Sequence, residues 1–156
     1  MALPGDPDPL ARPDAAQPLD KGELQRAKPE RAAFARLPRR PIRVVLDGVG
    51  GNYNLGAILR LCNGFLVERL VVCGARLDLR KRKLVQSACR AQRWVPWEER
   101  ASAAEAVAAA REEGHAVVEI PLGGMGNSLN VATAATIVLH RLSDLSDRGG
   151  AQVTDD

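Results

Sequence analysis

Apolar and polar positions change period several times along the chain, and each change predicts an element. Val44, Val45 and Leu46 form a short β-branched-rich run, and Asp47 to Tyr53 holds too much glycine to continue it. A buried strand running into a loop is expected. Asn54 suits an N-cap, and Leu55, Ile58, Leu59 and Cys62 recur at helical spacing until Gly64 supplies a stop. Gly56 and Arg60, one turn apart, fall on the face those apolar residues leave free, with Asn54 just beyond the helix N-terminus. The Arg60 guanidinium and the Asn54 amide are therefore expected to point the same way.

The pattern continues downstream. Arg69 to Cys73 (RLVVC) reads as a second strand, and a strand-helix-strand unit implies parallel pairing and an α/β fold. Asp78 precedes Leu79 to Val85, a helix start with a dense basic face. Ser102 and Glu105 form a capping box that opens a helix over Ala103 to Glu113, closed by Gly114. Ala116 to Ile120 is a further short strand, broken by Pro121. After a glycine-rich loop, Ser128 is placed to cap a helix on which Leu129, Ala132, Ala135, Thr136, Leu139 and Leu142 trace one stripe.

Composition divides the 156 residues unevenly. Residues 1–20 hold half of the ten prolines and little to bury, which predicts a disordered tail. From 21 to 40 the charge turns basic, and Arg39 and Arg40 belong either to a solvated linker or to an arm gripping phosphates. Residues 41–143 carry the patterned domain, and 144–156 read as solvated coil. Aromatics are 3% of the chain, which argues against single-stranded nucleic-acid recognition on a stacking platform. The net charge of +3 permits nucleic-acid binding without demanding it. Cys62, Cys73 and Cys89 lack metal-ligand spacing and read as buried thiols in a reducing compartment, so no metal is expected. His115 and His140 each stand alone and take structural readings. With no apolar leader and no long apolar run, a soluble cytoplasmic protein without membrane contact is expected.

Two glycine loops remain as candidate chemistry. Neither carries Gly-Lys-Ser/Thr, which excludes a phosphate-cradling P-loop, and Gly48-Val49-Gly50 lacks the third glycine of a dinucleotide fingerprint. The loop of Gly123, Gly124 and Gly126 would let backbone amides approach a small polar ligand.

Asn54-Leu55-Gly56-Ala57-Ile58-Leu59-Arg60 behind a strand ending in Asp47 resembles the first motif of the SpoU-type, TrmH-like RNA 2′-O-ribose methyltransferases of the SPOUT superfamily. Ile120-Pro121-Leu122-Gly123-Gly124, followed by Ser128-Leu129-Asn130-Val131, closely resembles their third motif. Two motifs in the right order, with similar sequence between them, cover most of Ile42 to Arg141. The resemblance implies a shortened SPOUT-like α/β knot fold, a parallel sheet with flanking helices, acting as a homodimer on tRNA or rRNA with S-adenosylmethionine. It implies that Arg60 activates or orients a ribose 2′-hydroxyl, that Asn54 positions Arg60 and the RNA, and that Ser128 and Asn130 complete the catalytic set. Ile120, Leu122, Gly124, Ser128 and Leu129 would bind the cofactor, and Arg80, Lys81, Arg82 and Lys83, with Arg39 and Arg40, would hold RNA.

The sequence departs from the family pattern at identifiable places. Gly114 runs directly into His115-Ala116-Val117-Val118-Glu119-Ile120, so the middle motif of the type Gly-x-Glu-x-x-Gly is absent. Leu66 follows Phe65 where a glycine is normal, Arg90 stands where relatives usually have glycine, and Leu61 replaces a common threonine. Two other readings therefore stay open: an RNA-binding or dimerisation module that lost the cofactor cleft, and a deletion product with an incomplete core.

Overall fold

The computed structural model describes residues 22, 30–118, 120 and 128–149. Two units are distinguished, Pro38–Leu145, and Met1–Leu37 together with Ser146–Asp156. The second contributes a short helix, α1 (Arg31–Ala35). The first holds β1 (Arg40–Asp47), α2 (Asn52–Gly64), β2 (Val67–Cys73), α3 (Arg82–Ala88), a 3-10 turn (Ala91–Arg93), β3 (Trp97–Arg100) and α4 (Ala103–Glu112). The last helix, α5 (Val131–Gly149), begins in this unit. Among the described residues no helix is long and apolar enough to cross a membrane.

The three strands form one parallel sheet in the order β1-β2-β3. Val44, Val45 and Leu46 stand opposite Leu70, Val71 and Val72, as the strand-helix-strand pattern requires. Between Arg40 and Arg43 the register slips: β1 advances three residues while β2 advances two, from Val67 to Arg69. The extra residue falls beside Pro41, which has no N–H to give a ladder, a site where sheets tolerate bulges.

One core lies between the sheet and the helices. Leu46, Leu70 and Val72 pack with Leu55, Ile58, Leu59 and Cys62 of α2, Leu84 and Ala88 of α3, and Leu139 of α5. Burying a side chain of this size contributes about 1.5–3 kcal/mol, so the α2 stripe alone anchors that helix. A smaller cluster joins Val71 and Cys73 to Ala106 of α4, with Val45 and Ala103 packed against it. The alanine-rich α4 docks closely because it has so little side chain to hold it off.

The Ser102 half of the capping box over α4 is formed. The Ser102 hydroxyl accepts the Glu105 N–H at 3.3 Å, and at the other end the Gly114 and His115 N–H groups donate to Arg111 and Ala110. Gly114 takes φ +89°, the left-handed conformation that such a helix end needs.

Five expectations are corrected. Asn54 is not an N-cap: α2 starts three residues earlier than that cap would place it, with Gly51 at the cap and its carbonyl accepting the Leu55 N–H. The α3 helix starts at Arg82 rather than Leu79, because the Asp78 carboxylate accepts the Arg80 N–H and holds a turn there. Ala116 to Val118 and Ile120 are coil, with Val117 and Val118 exposed. Apolar, β-branched composition makes a strand only where an edge is at hand to pair with, and this segment pairs with none among the described residues. At α5, Asn130 rather than Ser128 caps, and Leu129 and Thr136 lie outside the buried stripe of Ala132, Ala135, Leu139 and Leu142. Finally, residues 144–149 are helix, not coil. The 1–20 tail, the loop at 121–127 and any knot it would thread lie outside the described residues.

Candidate functional site

The site grows from the N-terminus of α2. Gly56 is not on a free face. It is buried against α3, where an added Cβ would lie 2.0 Å from Ser87 Oγ and 2.4 Å from the Leu84 carbonyl oxygen. This close approach seats α3 on α2 and fixes where both helix faces point. Asn54, in the first turn, is half-buried and meets a residue far away in sequence: Asn130 Nδ2 donates to Asn54 Oδ1 at 3.4 Å. Two of the four residues named as catalytic are thus brought together by the fold.

The other two stand apart. Arg60 lies six residues beyond Asn54 on the same helix, about 9 Å along the axis and about 120° round it, so the two side chains do not share a direction. Its exposed guanidinium makes a long contact with Cys89, Nη1 to Sγ 3.7 Å, at the end of α3. Ser128 is exposed in coil two residues before Asn130. Of the residues named for the cofactor, Ile120 is half-buried and Leu129 is 41% exposed, while Leu122 and Gly124 lie outside the described residues. Ile120 and Leu129 offer accessible apolar surface and Ser128 an accessible hydroxyl, which suit in kind a ligand with a flat ring and a polar arm.

The cations divide by their surroundings. Lys81, Arg82 and Lys83 are exposed at the start of α3, and none makes an ion pair among the described residues. Arg80 is tied to Asp78 at 3.1 Å, and the Arg80 N–H and guanidinium together hold the Asp78 carboxyl below its usual range. Arg39 and Arg40 belong to the sheet unit rather than to an arm. Arg39 is half-buried and donates to the Val67 carbonyl at 3.2 Å and to that of Trp94, and burial lowers its pKa. Arg40 Nη1 donates to the Phe65 carbonyl at 3.1 Å. Both guanidinia satisfy backbone carbonyls, at the end of α2, the start of β2 and the end of the 3-10 turn. The run of basic residues gave no sign of this, because carbonyl direction is set by the fold.

Buried Cys62 is an inert thiol: burial pushes its pKa up to about 12. Cys73 is buried as expected, but Cys89 is exposed, because it ends α3 in a left-handed turn at the surface, where it meets Arg60. Among the described residues no cluster of His, Cys, Asp or Glu could hold a metal. A salt-bridged node at Arg43, bonded to Glu68 and Glu113, links β1 to β2 and to the end of α4. Those carboxylates hold the Arg43 charge, and Arg43 lowers the pKa of Glu113.

Residues 41–119, half of the chain, match the sequence model of the SpoU rRNA Methylase family. The match ends before the second glycine loop. No curated protein matches the chain. Among solved structures, the TrmH/SpoU tRNA modifying enzyme of A. aeolicus is similar with a TM-score of 0.60 at 17% identity, over 75% of this chain and 81% of that one. The SpoU methyltransferase AviRb of Streptomyces viridochromogenes, in complex with the cofactor AdoMet, gives 0.55 at 18%, over 76% and 62%. An RNA 2′-O ribose methyltransferase gives 0.55 at 20%, over 77% and 62%. The chain thus spans less than two thirds of the latter two, and at these identities the likeness is one of fold.

Proposed function

The chain belongs to the SpoU rRNA Methylase family, a family of RNA methyltransferases, and from that premise we propose that it methylates a ribose 2′-hydroxyl of tRNA or rRNA with S-adenosylmethionine. One observation carries the reading. Asn54 and Asn130, from the two motif segments and 76 positions apart, meet at the start of α2 beside a helix N-terminus that no side chain caps. The known use of AdoMet by the similar AviRb protein supports the choice of donor.

Bound S-adenosylmethionine supplies a methyl group on a sulfonium, already electrophilic, so the protein's work is alignment and removal of the hydroxyl proton. Ile120, Ser128 and Leu129 would hold the cofactor, with Leu122 and Gly124 as further candidates. Arg60 acts through its guanidinium as an electrostatic clamp on the RNA. Lys81, Arg82 and Lys83, at the opposite end of α3 from the Cys89 that Arg60 touches, hold the phosphate backbone, with Arg80 contributing less because Asp78 already engages it. The protein works as a homodimer in the cytoplasm in this reading. Exposed Ile137 and Leu145 on α5 supply an apolar surface for a second copy.

The test is transfer of tritiated methyl from S-adenosylmethionine to undermethylated bulk tRNA and rRNA, followed by nucleoside analysis. A 2′-O-methylnucleoside is expected, with kcat falling about 100-fold or more in Arg60→Ala, as for loss of an electrostatic contact at a reacting group. RNA binding without methyl transfer would instead identify an RNA-binding module.

A further inference from the structure

Both ends of the Asn130 side chain are engaged. Its Oδ1 accepts the Ala132 N–H at 2.9 Å and the Thr133 N–H at 3.4 Å, closing the first turn of α5. An amide carries its acceptor and its donors on opposite branches, so with Oδ1 committed to the helix the Nδ2 branch faces away from it. It faces Asn54, whose Oδ1 accepts at 3.4 Å. With its acceptor taken, Asn54 turns its own Nδ2 over Gly51, 3.4 Å from where a Cβ there would stand. No side chain caps α2 and its first turn contains no acid, so the positive end of the helix lies open on the same side.

Resting on the reading in Proposed function, we propose that Asn130 is a positioning residue that sets the rotation of the Asn54 amide. As a result α2 presents a donor, and the RNA group that Asn54 recognises is an acceptor oxygen of the sugar-phosphate backbone. A donor amide beside a helix N-terminus favours a partner bearing lone pairs and partial negative charge, and disfavours one that can only donate. The cap and the orientation are thereby one device: the residue that starts α5 also aims the amide on α2.

Asn130→Asp separates the two roles. A carboxylate caps a helix as well as an amide does, so the melting temperature is expected to hold. The variant has no donor for Asn54, whose amide then rotates to give Nδ2 to the new carboxylate and turns its oxygen outward. Affinity for bulk tRNA is expected to fall about tenfold, to the level of Asn54→Ala, with the double variant no weaker than either single one. By NMR, an NOE between the Asn54 side-chain amide protons and Gly51 Hα is expected in the wild type and lost in Asn130→Asp. Asn130→Ala, lacking the cap, should bind as weakly and also melt earlier.

An Asn130→Asp variant that melts, binds tRNA and transfers methyl like the wild type would overturn the inference, as would an unchanged NOE. Absence of binding by the wild type to bulk rRNA as well as to bulk tRNA would overturn its RNA half together with the methyltransferase reading. The NOE pattern separates that failure from a failure of the amide geometry.

Discussion

Among the described residues, three with side chains occupy backbone conformations that suit glycine. Leu66 takes φ +51° after the α2 terminus, and Cys89 and Arg90 take +48° and +72° in succession after α3. Leu66 and Arg90 are the positions where the SpoU pattern normally has glycine, and the structure supplies the reason: each lies in the left-handed region where a Cβ crowds the following carbonyl. The core tolerates the cost because α2, α3 and the strands after them are fixed by buried leucines. Arg90→Gly removes the strain at an exposed site, offset in part by glycine's greater freedom in the unfolded chain, and is expected to stabilise by about 0.5–1 kcal/mol. A rise in the midpoint of urea unfolding checks this. A lower midpoint would mean that the Arg90 side chain contributes more than its backbone costs. Leu66 is a poorer test, since it is half-buried and the change would also remove apolar contact.

At the level of elements, the α2–α3 contact controls the placement of the site, and Gly56 is its narrowest point. Alanine in a helix interior is about 1 kcal/mol better than glycine. Here the new Cβ would meet Ser87 Oγ at 2.0 Å and the backbone oxygen of Leu84 at 2.4 Å, and a backbone atom cannot swing aside. Overpacking outweighs propensity, so Gly56→Ala is expected to destabilise by about 2 kcal/mol net, lowering the melting temperature by roughly 4–8 °C. Thermal unfolding followed by circular dichroism would show it. An unchanged or higher melting temperature would mean that α3 is free to move away.

Elements that carry their own signals were readable from sequence: β1 and β2 from apolar runs, α2 from its stripe and glycine stop, and α4 from its capping box. Those decided by distant partners were not. Trp97 to Arg100 has only one apolar residue and becomes β3 because the exposed ladder of β2 accepts it. Ala116 to Val118 has the composition of a strand and finds no partner among the described residues. The α5 start moved from Ser128 to Asn130 because both are good caps, and only the fold places Asn130 beside Asn54. The candidate site was legible in its residue types, whereas the separation of Arg60 from Asn54 followed from the earlier start of α2.

For the molecule as a whole, the parallel sheet, the family match over residues 41–119 and the exposed basic start of α3 agree on an RNA-directed methyltransferase fold. The sequence between Gly114 and Ile120 is shorter than the family pattern, so methyl transfer requires the remaining residues to take up the methyl donor. Calorimetric titration of the full chain with S-adenosylmethionine tests this most directly. Saturable binding at one site per chain with a micromolar Kd, about −8 kcal/mol, is expected. A protein that melts in a single cooperative transition yet gives no heat with S-adenosylmethionine would contradict the account.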